Sequence, residues 1–179
     1  MKIRTLKADE IEVRVQQVTE KGAILLLYKD ARVDMNMLDE SDVKWKRSHD
    51  LINGNLFCTV SIWDEEIKEW VSRQDVGVES FTEKEKGQAS DSFKRACFNW
   101  GIGRELYTSP FIWVNANKLE SHFVKSKDKN GKDIYSTYDK FKVAKIAYND
   151  NREITGLAIS NEKTNDVVYI HNNTGAKNG

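Results

Sequence analysis

The sequence predicts an α+β protein whose core has the order β-β-β-α, with one central helix lying across an antiparallel sheet. Between Leu56 and Ile62 every second residue is apolar, which is typical of a strand with one buried face. Between 82 and 110 the apolar residues recur instead at the spacing of one face of a helix. After Pro110 short apolar runs return between polar turns, and these predict further C-terminal hairpin strands.

The central helix has an apolar stripe and a mixed opposite side. The stripe consists of Ala89, Phe93, Ala96, Cys97 and Trp100. At about 100° per residue, Phe98 falls almost opposite Phe93, with Lys94 and Arg95 to either side of it. We expect both basic side chains to lie away from the core, and we expect the helix to end at Gly101 because glycine ends helices readily.

The other elements follow from periodicity and turn signals. In chain order we predict a short helix over 8–20, a buried strand over Ala23–Tyr28, a helix over Asp30–Glu40, and strands over Val43–His49, Leu56–Ile62 and Trp70–Val78. Beyond Pro110 we predict a lysine-rich hairpin over Lys125–Asp133 with Asn130-Gly131 as its turn, then strands over Phe141–Tyr148, Ile154–Ile159 and Val167–Ile170.

Length and composition predict a single globular domain over residues 1–179. The 179 residues are 39% hydrophobic and 31% charged, which suits a protein with its own core. Within it we place a core signature at about 8–110, C-terminal strands at 111–171 and a flexible tail at 172–179. The formal net charge is zero, but Lys118 to Lys145 holds eight lysines against four acids, which favours a local anion-binding surface.

Several features predict a cytoplasmic protein without a membrane anchor. The first ten residues lack the apolar segment of a signal peptide, and the longest apolar run, Ala23–Tyr28, is far too short to span a bilayer. Cys58 and Cys97 fall on predicted core faces, as suits thiols in a reducing compartment.

Two basic-aromatic groups are candidate binding residues. Lys94 and Arg95 accompany Phe98 on the central helix, and Trp45-Lys46-Arg47 places a similar mix on a strand. Cations of this kind hold phosphates, and an exposed aromatic ring can stack on a base. For the strand residues, a core tryptophan with solvated neighbours is an equally good interpretation. For Lys94 and Arg95, the alternative is an ordinary solvated face of an amphipathic helix.

Enzyme signals are weak, and the sequence predicts a protein that is not an enzyme. Gly101-Ile102-Gly103 could begin a dinucleotide-binding fingerprint, but Leu106 occupies the third glycine position and the pattern closes a helix instead of opening one. Asp34, Asp75 and Glu79 could hold a divalent metal in a nuclease, although nothing in their spacing is specific to a metal. A structural oligomer of a phage particle is a third alternative.

Three stretches carry a resemblance to a known family: Gln74–Gly77, Lys86–Ala96 and Gly101–Tyr107. Together they resemble the core signature of the Rad-fifty-two single-strand annealing family, and the match is closest to its short phage and prophage members. The helix over Arg32–Glu40 that precedes Trp45 fits the same order. The resemblance covers about residues 8–110.

The resemblance implies a β-β-β-α subunit that assembles into a ring or a helical oligomer and binds single-stranded DNA in a basic groove. It implies annealing of complementary strands in homologous recombination and repair, without ATP, metal or other cofactor. The implied partners are single-stranded DNA, copies of the same chain and a single-strand-binding protein. The implied setting is the cytoplasm of a bacterial host, at the nucleoid when the protein is active.

The family's functional residues carry over by position. Lys94 and Arg95 match the basic pair that contacts the DNA backbone, and Arg14 matches another groove arginine. Arg104 lies in the third matching stretch and joins the same expected DNA-binding set. Phe98 stands where relatives have a further arginine, which implies a stacking or interface aromatic in place of a phosphate contact.

Overall fold

The structure, a computed structural model, describes residues 3–78 and 84–173. Its helices are α1 (Ala31–Glu40) and α2 (Lys84–Asn99). Its strands are β1 (Glu12–Thr19), β2 (Gly22–Tyr28), β3 (Trp45–Ile52), β4 (Asn55–Asp64), β5 (Glu69–Val76), β6 (Ile112–Asn115), β7 (Phe123–Lys127), β8 (Asp133–Ser136), β9 (Phe141–Tyr148), β10 (Ile154–Asn161) and β11 (Val167–Asn172). The α+β class with antiparallel sheets is thus confirmed. Within these residues, neither helix is long and apolar enough to cross a membrane.

The chain divides into two compact units. The first unit comprises Met1–Thr5 and Asp30–Arg104, and the second comprises Leu6–Lys29 and Glu105–Gly179. No composition change or linker in the sequence signals this division. That the two units act as a single functional domain stays a prediction. Of the flexible tail predicted over 172–179, Asn172 instead belongs to the last strand, Val167–Asn172, and the residues beyond Asn173 lie outside the described part of the chain.

The first unit packs α2 on one face of a three-stranded antiparallel sheet in the order β3-β4-β5. The alternation that predicted β4 buries Cys58, Val60 and Ile62 on that face, and Phe93 of α2 is fully buried there. Close packing also fixes Gly77, since a Cβ atom at that position would lie 2.2 Å from the Gln88 carbonyl oxygen of α2. Part of the Gln74–Gly77 motif therefore has a packing role.

The second unit is built on a six-stranded antiparallel sheet in the order β11-β10-β9-β1-β2-β6, with β7 and β8 forming a separate hairpin. Its core includes Leu25, Val114, Phe141 and Ile159, each buried on an alternating strand face. The three predicted C-terminal strands are confirmed as β9, β10 and β11, and the lysine-rich hairpin turns at Asn130-Gly131.

The helix predicted over residues 8–20 is wrong. The chain forms a single 3-10 turn at Ala8–Glu10 and then strand β1, which pairs along its whole length with β2. Val13, Val15 and Val18 have β-branched side chains that suit a strand. The spacing of Ile11, Val15 and Val18 is that of a helical stripe, but pairing with the antiparallel neighbour β2 overrode that local signal.

A buried carboxylate ties three parts of the second unit together. The Glu105 side chain is fully buried, accepts a hydrogen bond from the Leu6 backbone N–H at 2.7 Å and pairs with the Arg152 guanidinium at 2.8 Å. The Tyr148 hydroxyl donates to the Leu6 carbonyl oxygen at 3.0 Å, and burial raises the pKa of that phenol. These contacts anchor the start of the unit to the β9–β10 turn.

We expect Glu105→Gln to lower the free energy of unfolding by about 3 kcal/mol, because it leaves the Arg152 charge without its buried partner. Glu153→Gln is a matched control: its carboxylate is exposed and accepts from the Asn149 amide at 2.7 Å. The control should change stability by less than about 0.5 kcal/mol. Urea unfolding followed by circular dichroism measures both, and equal effects would contradict the assignment.

Candidate nucleic-acid interface

Lys94 is part of the interior of the first unit. Only 6% of its surface is exposed, so the expectation that it faces away from the core is wrong. Lys94 is buried because α1 packs against α2, with Met37 and Leu38 of α1 in the interior. Hydrogen bonds from Arg32 and, more weakly, the charge of Lys94 hold the pKa of Asp30 below its usual value, which places Lys94 near the start of α1.

Arg95 faces outward and is held by β5. Its Nε donates to Asp75 Oδ1 at 3.2 Å while 42% of its side chain stays exposed. Asn99 donates to the other oxygen of Asp75 at 3.3 Å and to the Gln74 carbonyl at 3.2 Å. Asp75 therefore orients the guanidinium, and part of the Arg95 side chain stays exposed.

Trp45 and Arg47 lie on the face of the sheet that α2 covers. The Trp45 ring stacks against Phe93 with centroids 6.2 Å apart, and its indole N–H donates to Asp39 at 2.7 Å. Arg47 lies with its guanidinium carbon 4.7 Å from the centre of the Phe93 ring and is itself exposed. The packing role for Trp45 is thus evident, whereas the DNA-binding role of both residues stays a prediction.

Lys46 lies on the opposite side of the sheet, which we call the outer face and define by Lys46, Trp63, Trp70, Ser72 and Gln74. Strand register places these side chains together, since Lys46 pairs with Ser61 and Trp63 pairs with Trp70. The Lys46 ammonium lies 4.3 Å from the centre of the Trp70 ring. The rings of Trp70 and Trp63 pack edge to face, with their centroids 5.6 Å apart. Trp70 is 39% exposed. The outer face thus combines a cation with an accessible aromatic ring.

Arg73 is a candidate that sequence reasoning missed. It is exposed on β5, with its guanidinium carbon 4.8 Å from the centre of the Trp100 ring. Trp100 is fixed in turn by its indole N–H, which donates to the Val60 carbonyl at 3.0 Å. Trp63 and Trp70 were also missed as binding residues. Antiparallel pairing of the three predicted strands, with β4 and β5 joined at the acidic turn, would have placed both tryptophans on the same face as Lys46.

Arg104 and Arg14 make local contacts, and the DNA-binding roles of Arg104, Phe98 and Arg14 stay predictions. Arg104 donates to the Phe98 carbonyl at 2.8 Å and to the Asn99 carbonyl at 3.0 Å. The guanidinium thus caps the last carbonyl groups of α2, where a positive charge is favourable. Phe98 itself is half-buried. Arg14 belongs to the second unit, where it pairs with Glu12 at 3.0 Å and lies 3.8 Å from the centre of the Tyr28 ring.

The candidate metal ligands are not brought together as a site in the part of the chain that the structure describes. Asp34 is buried, Asp75 binds Arg95 and Asn99, and Glu79 lies outside the described residues. Over residues 3–78 and 84–173, no group of three or more His, Cys, Asp or Glu side chains could hold a metal ion. Burial raises the pKa of the Cys58 thiol to about 11, so this cysteine stays protonated at neutral pH.

We expect Lys94→Ala to destabilise the protein by about 2–3 kcal/mol, because it removes a buried side chain and leaves a cavity. Arg95→Ala is the matched variant on the next residue, and it removes only a partly exposed ion pair worth up to about 1 kcal/mol. Thermal or urea unfolding of the two variants distinguishes them. Equal stabilities would show that the Lys94 side chain is not part of the interior.

Comparisons with protein-family models, with curated proteins and with solved structures found no match to this chain. The basic and aromatic side chains of the first unit, above all those of the outer face, are the features of this interface that suit a polyanion with stacking bases.

Proposed function

We propose that the first unit binds single-stranded DNA and that the protein anneals complementary strands without hydrolysing a nucleotide. The observation that carries the proposal is the outer face, where Lys46 stands over the exposed ring of Trp70. A lysine beside a flat aromatic surface can bind a phosphate while the neighbouring base stacks on the ring. Stacking of this kind contributes about 1–3 kcal/mol per base and requires no particular sequence.

Three arginines support the same chemistry. Arg47 and Arg73 lie against aromatic rings, and Arg95 is oriented by Asp75. A guanidinium stacked on a ring has its N–H groups at its edges, where they can meet phosphate oxygens. The first unit has no excess of positive charge overall, so binding would depend on these local contacts and not on a broad attractive field.

The annealing step comes from the sequence resemblance and agrees with this chemistry. Annealing requires a strand held mainly through its backbone, with bases able to exchange between a protein surface and a partner strand. It breaks no covalent bond, so the proposal includes no catalytic residue, metal or nucleotide cofactor. On this proposal the protein acts in the cytoplasm.

We also propose that the chain assembles with copies of itself. In the described part of the sheet, β3 and β5 are edge strands that each have one hydrogen-bonded neighbour. Leu51 near the end of β3 and Ile67 in the β4–β5 turn are exposed, and Phe98 is half-buried on α2. Unpaired edges and exposed apolar side chains favour side-by-side packing of subunits.

Trp70→Ala should weaken binding to an oligo-dT strand by about 1–3 kcal/mol, the contribution of one stacked base. Phe111→Ala is the control, because that ring is 70% exposed but lies in the second unit. Lys46→Ala should reduce the salt dependence of binding by about 0.7 log units per log salt, whereas Lys68→Ala in the β4–β5 turn should not.

Fluorescence anisotropy measures affinity, and a gel assay with two complementary oligonucleotides, free of metal and nucleotide, measures annealing. If folded Trp70→Ala and Lys46→Ala proteins bound oligo-dT as tightly as the wild-type protein does, that result would contradict DNA binding at the outer face. Strand binding without any acceleration of annealing would contradict the annealing function alone.

For assembly, light scattering at micromolar concentration should give a mass several times the 20.6 kDa of one chain. Phe98→Ala should lower that mass if the ring fills a subunit interface, with DNA affinity falling only as the oligomer dissociates. An intact oligomer whose affinity falls by about 1–3 kcal/mol would instead place Phe98 against a base. A monomer with and without DNA would rule out assembly.

A further inference from the structure

The turn between β4 and β5 carries a group of paired charges that the proposed function does not use. Glu65 in this turn accepts from the Lys44 ammonium at 3.2 Å through one carboxylate oxygen. Its other oxygen accepts from the Lys68 ammonium at 2.9 Å. The Trp63 indole N–H also donates to this carboxylate. A single carboxylate therefore gathers two ammonium groups and one aromatic N–H donor.

This group of charges adjoins the outer face. The Trp63 backbone N–H donates to the Lys44 carbonyl oxygen at 2.9 Å, so the pairing of the first two strands of the sheet continues beyond the start of β3. Residues two apart along a paired chain point to the same side of a sheet, and Lys44 therefore lies on the same side as Lys46. Lys46 lies against the Trp70 ring, which packs against Trp63. The two groups of side chains thus meet at the tryptophan pair.

The donors around Glu65 are of the kind that bind a phosphate oxygen. Hydrogen bonds from ammonium groups to an anion are stronger than those between neutral groups. Bonds from Lys68, then from Lys44 and then from Trp63, lower the pKa of Glu65 to about 2. The carboxylate is therefore ionised at neutral pH, and its charge offsets those of the two lysines.

The contacts of Glu65 are open to solvent. The side chains of Lys44, Glu65 and Lys68 are 73%, 61% and 69% exposed. Ion pairs with this exposure are weak, so their partners exchange readily with another anion. A phosphate next to the Trp70 ring would reach the same ammonium groups without unfolding any part of the sheet.

We propose that Lys44 and Lys68 form a second phosphate site at this end of the outer face, and that Glu65 competes with DNA phosphate for it. The inference rests on the proposed function, since its ligand is the strand that binds at Lys46 and Trp70. Glu65 lowers the affinity of the strand, because the two lysines exchange one anion for another with little net gain. Weak binding at one end of the surface lets a strand pass to its partner, as annealing requires.

Glu65→Gln tests the inference, because it removes the charge and keeps an oxygen that can accept from Trp63. We expect it to tighten oligo-dT binding by about four- to twenty-fivefold, since each of the two exposed ion pairs is worth about two- to fivefold. The salt dependence should become steeper by about 0.7 log units per log salt for each lysine released. Fluorescence anisotropy over a series of salt concentrations measures both quantities.

Glu66→Gln is the matched control for net charge. Glu66 is exposed in the same turn, and Lys44 and Lys68 pair with Glu65 and not with it in the described part of the chain. The control should tighten binding by less than about twofold, because salt screens a charge that has no direct contact with the strand. Both glutamates are exposed, so we expect both variants to fold, and circular dichroism checks this.

Lys68→Ala gives a second measurement that does not depend on absolute affinity. In the wild-type background it should leave the salt dependence unchanged, because Glu65 already neutralises this lysine. In the Glu65→Gln background it should lower the salt dependence by about 0.7 log units per log salt. Lys129→Ala, which removes an exposed lysine of the second unit, should have no effect in either background.

The outcomes separate this inference from the proposed function. If the wild-type protein binds oligo-dT and folded Glu65→Gln and Glu66→Gln proteins match each other, competition by Glu65 is wrong and strand binding stands. Equal effects of Lys68→Ala in the two backgrounds would overturn the inference in the same way. If neither the wild-type protein nor Glu65→Gln binds oligo-dT, both are wrong. Tighter binding by Glu65→Gln that Trp70→Ala does not weaken would support the phosphate site and contradict stacking on the outer face.

Discussion

The packing of Phe93 between α2 and the β3-β4-β5 sheet is the contact on which the candidate interface depends. The ring is fully buried, stacks with Trp45 and lies under the Arg47 guanidinium. It fixes the rotation of α2 about its own axis. That rotation decides which basic residues of the helix face solvent, because neighbouring residues on a helix differ by about 100° in direction.

Two consecutive basic residues consequently have different environments. Lys94 points into the interior beside α1, whereas Arg95 points toward β5 and is oriented by Asp75. The cation that is best placed for a ligand is on neither position but on β3, where Lys46 meets Trp70 on the outer face. On the proposed function, the ring would provide a surface for a base and the cation a contact for its phosphate, so that one DNA strand would use both at once.

A chain with no net charge is an unusual candidate for binding a polyanion. Long-range attraction to DNA requires an excess of positive charge. Without such an excess, association with DNA is slower and depends on short-range contacts. On the proposed function, such contacts would come from the cations that lie against aromatic rings on both faces of the sheet in the first unit.

Local patterns in the sequence determined the α+β class, the strands β3 to β5, the hairpin at Asn130-Gly131 and the apolar stripe of α2, because side-chain periodicity reports directly on which face of an element is buried. Tertiary structure decided the rest. Pairing with β2 made a strand of residues 12–19, and packing of α1 buried Lys94. Antiparallel register brought Lys46 to Trp70 across three strands. These outcomes depend on partners distant in the chain, and periodicity within one segment carries no information about such partners.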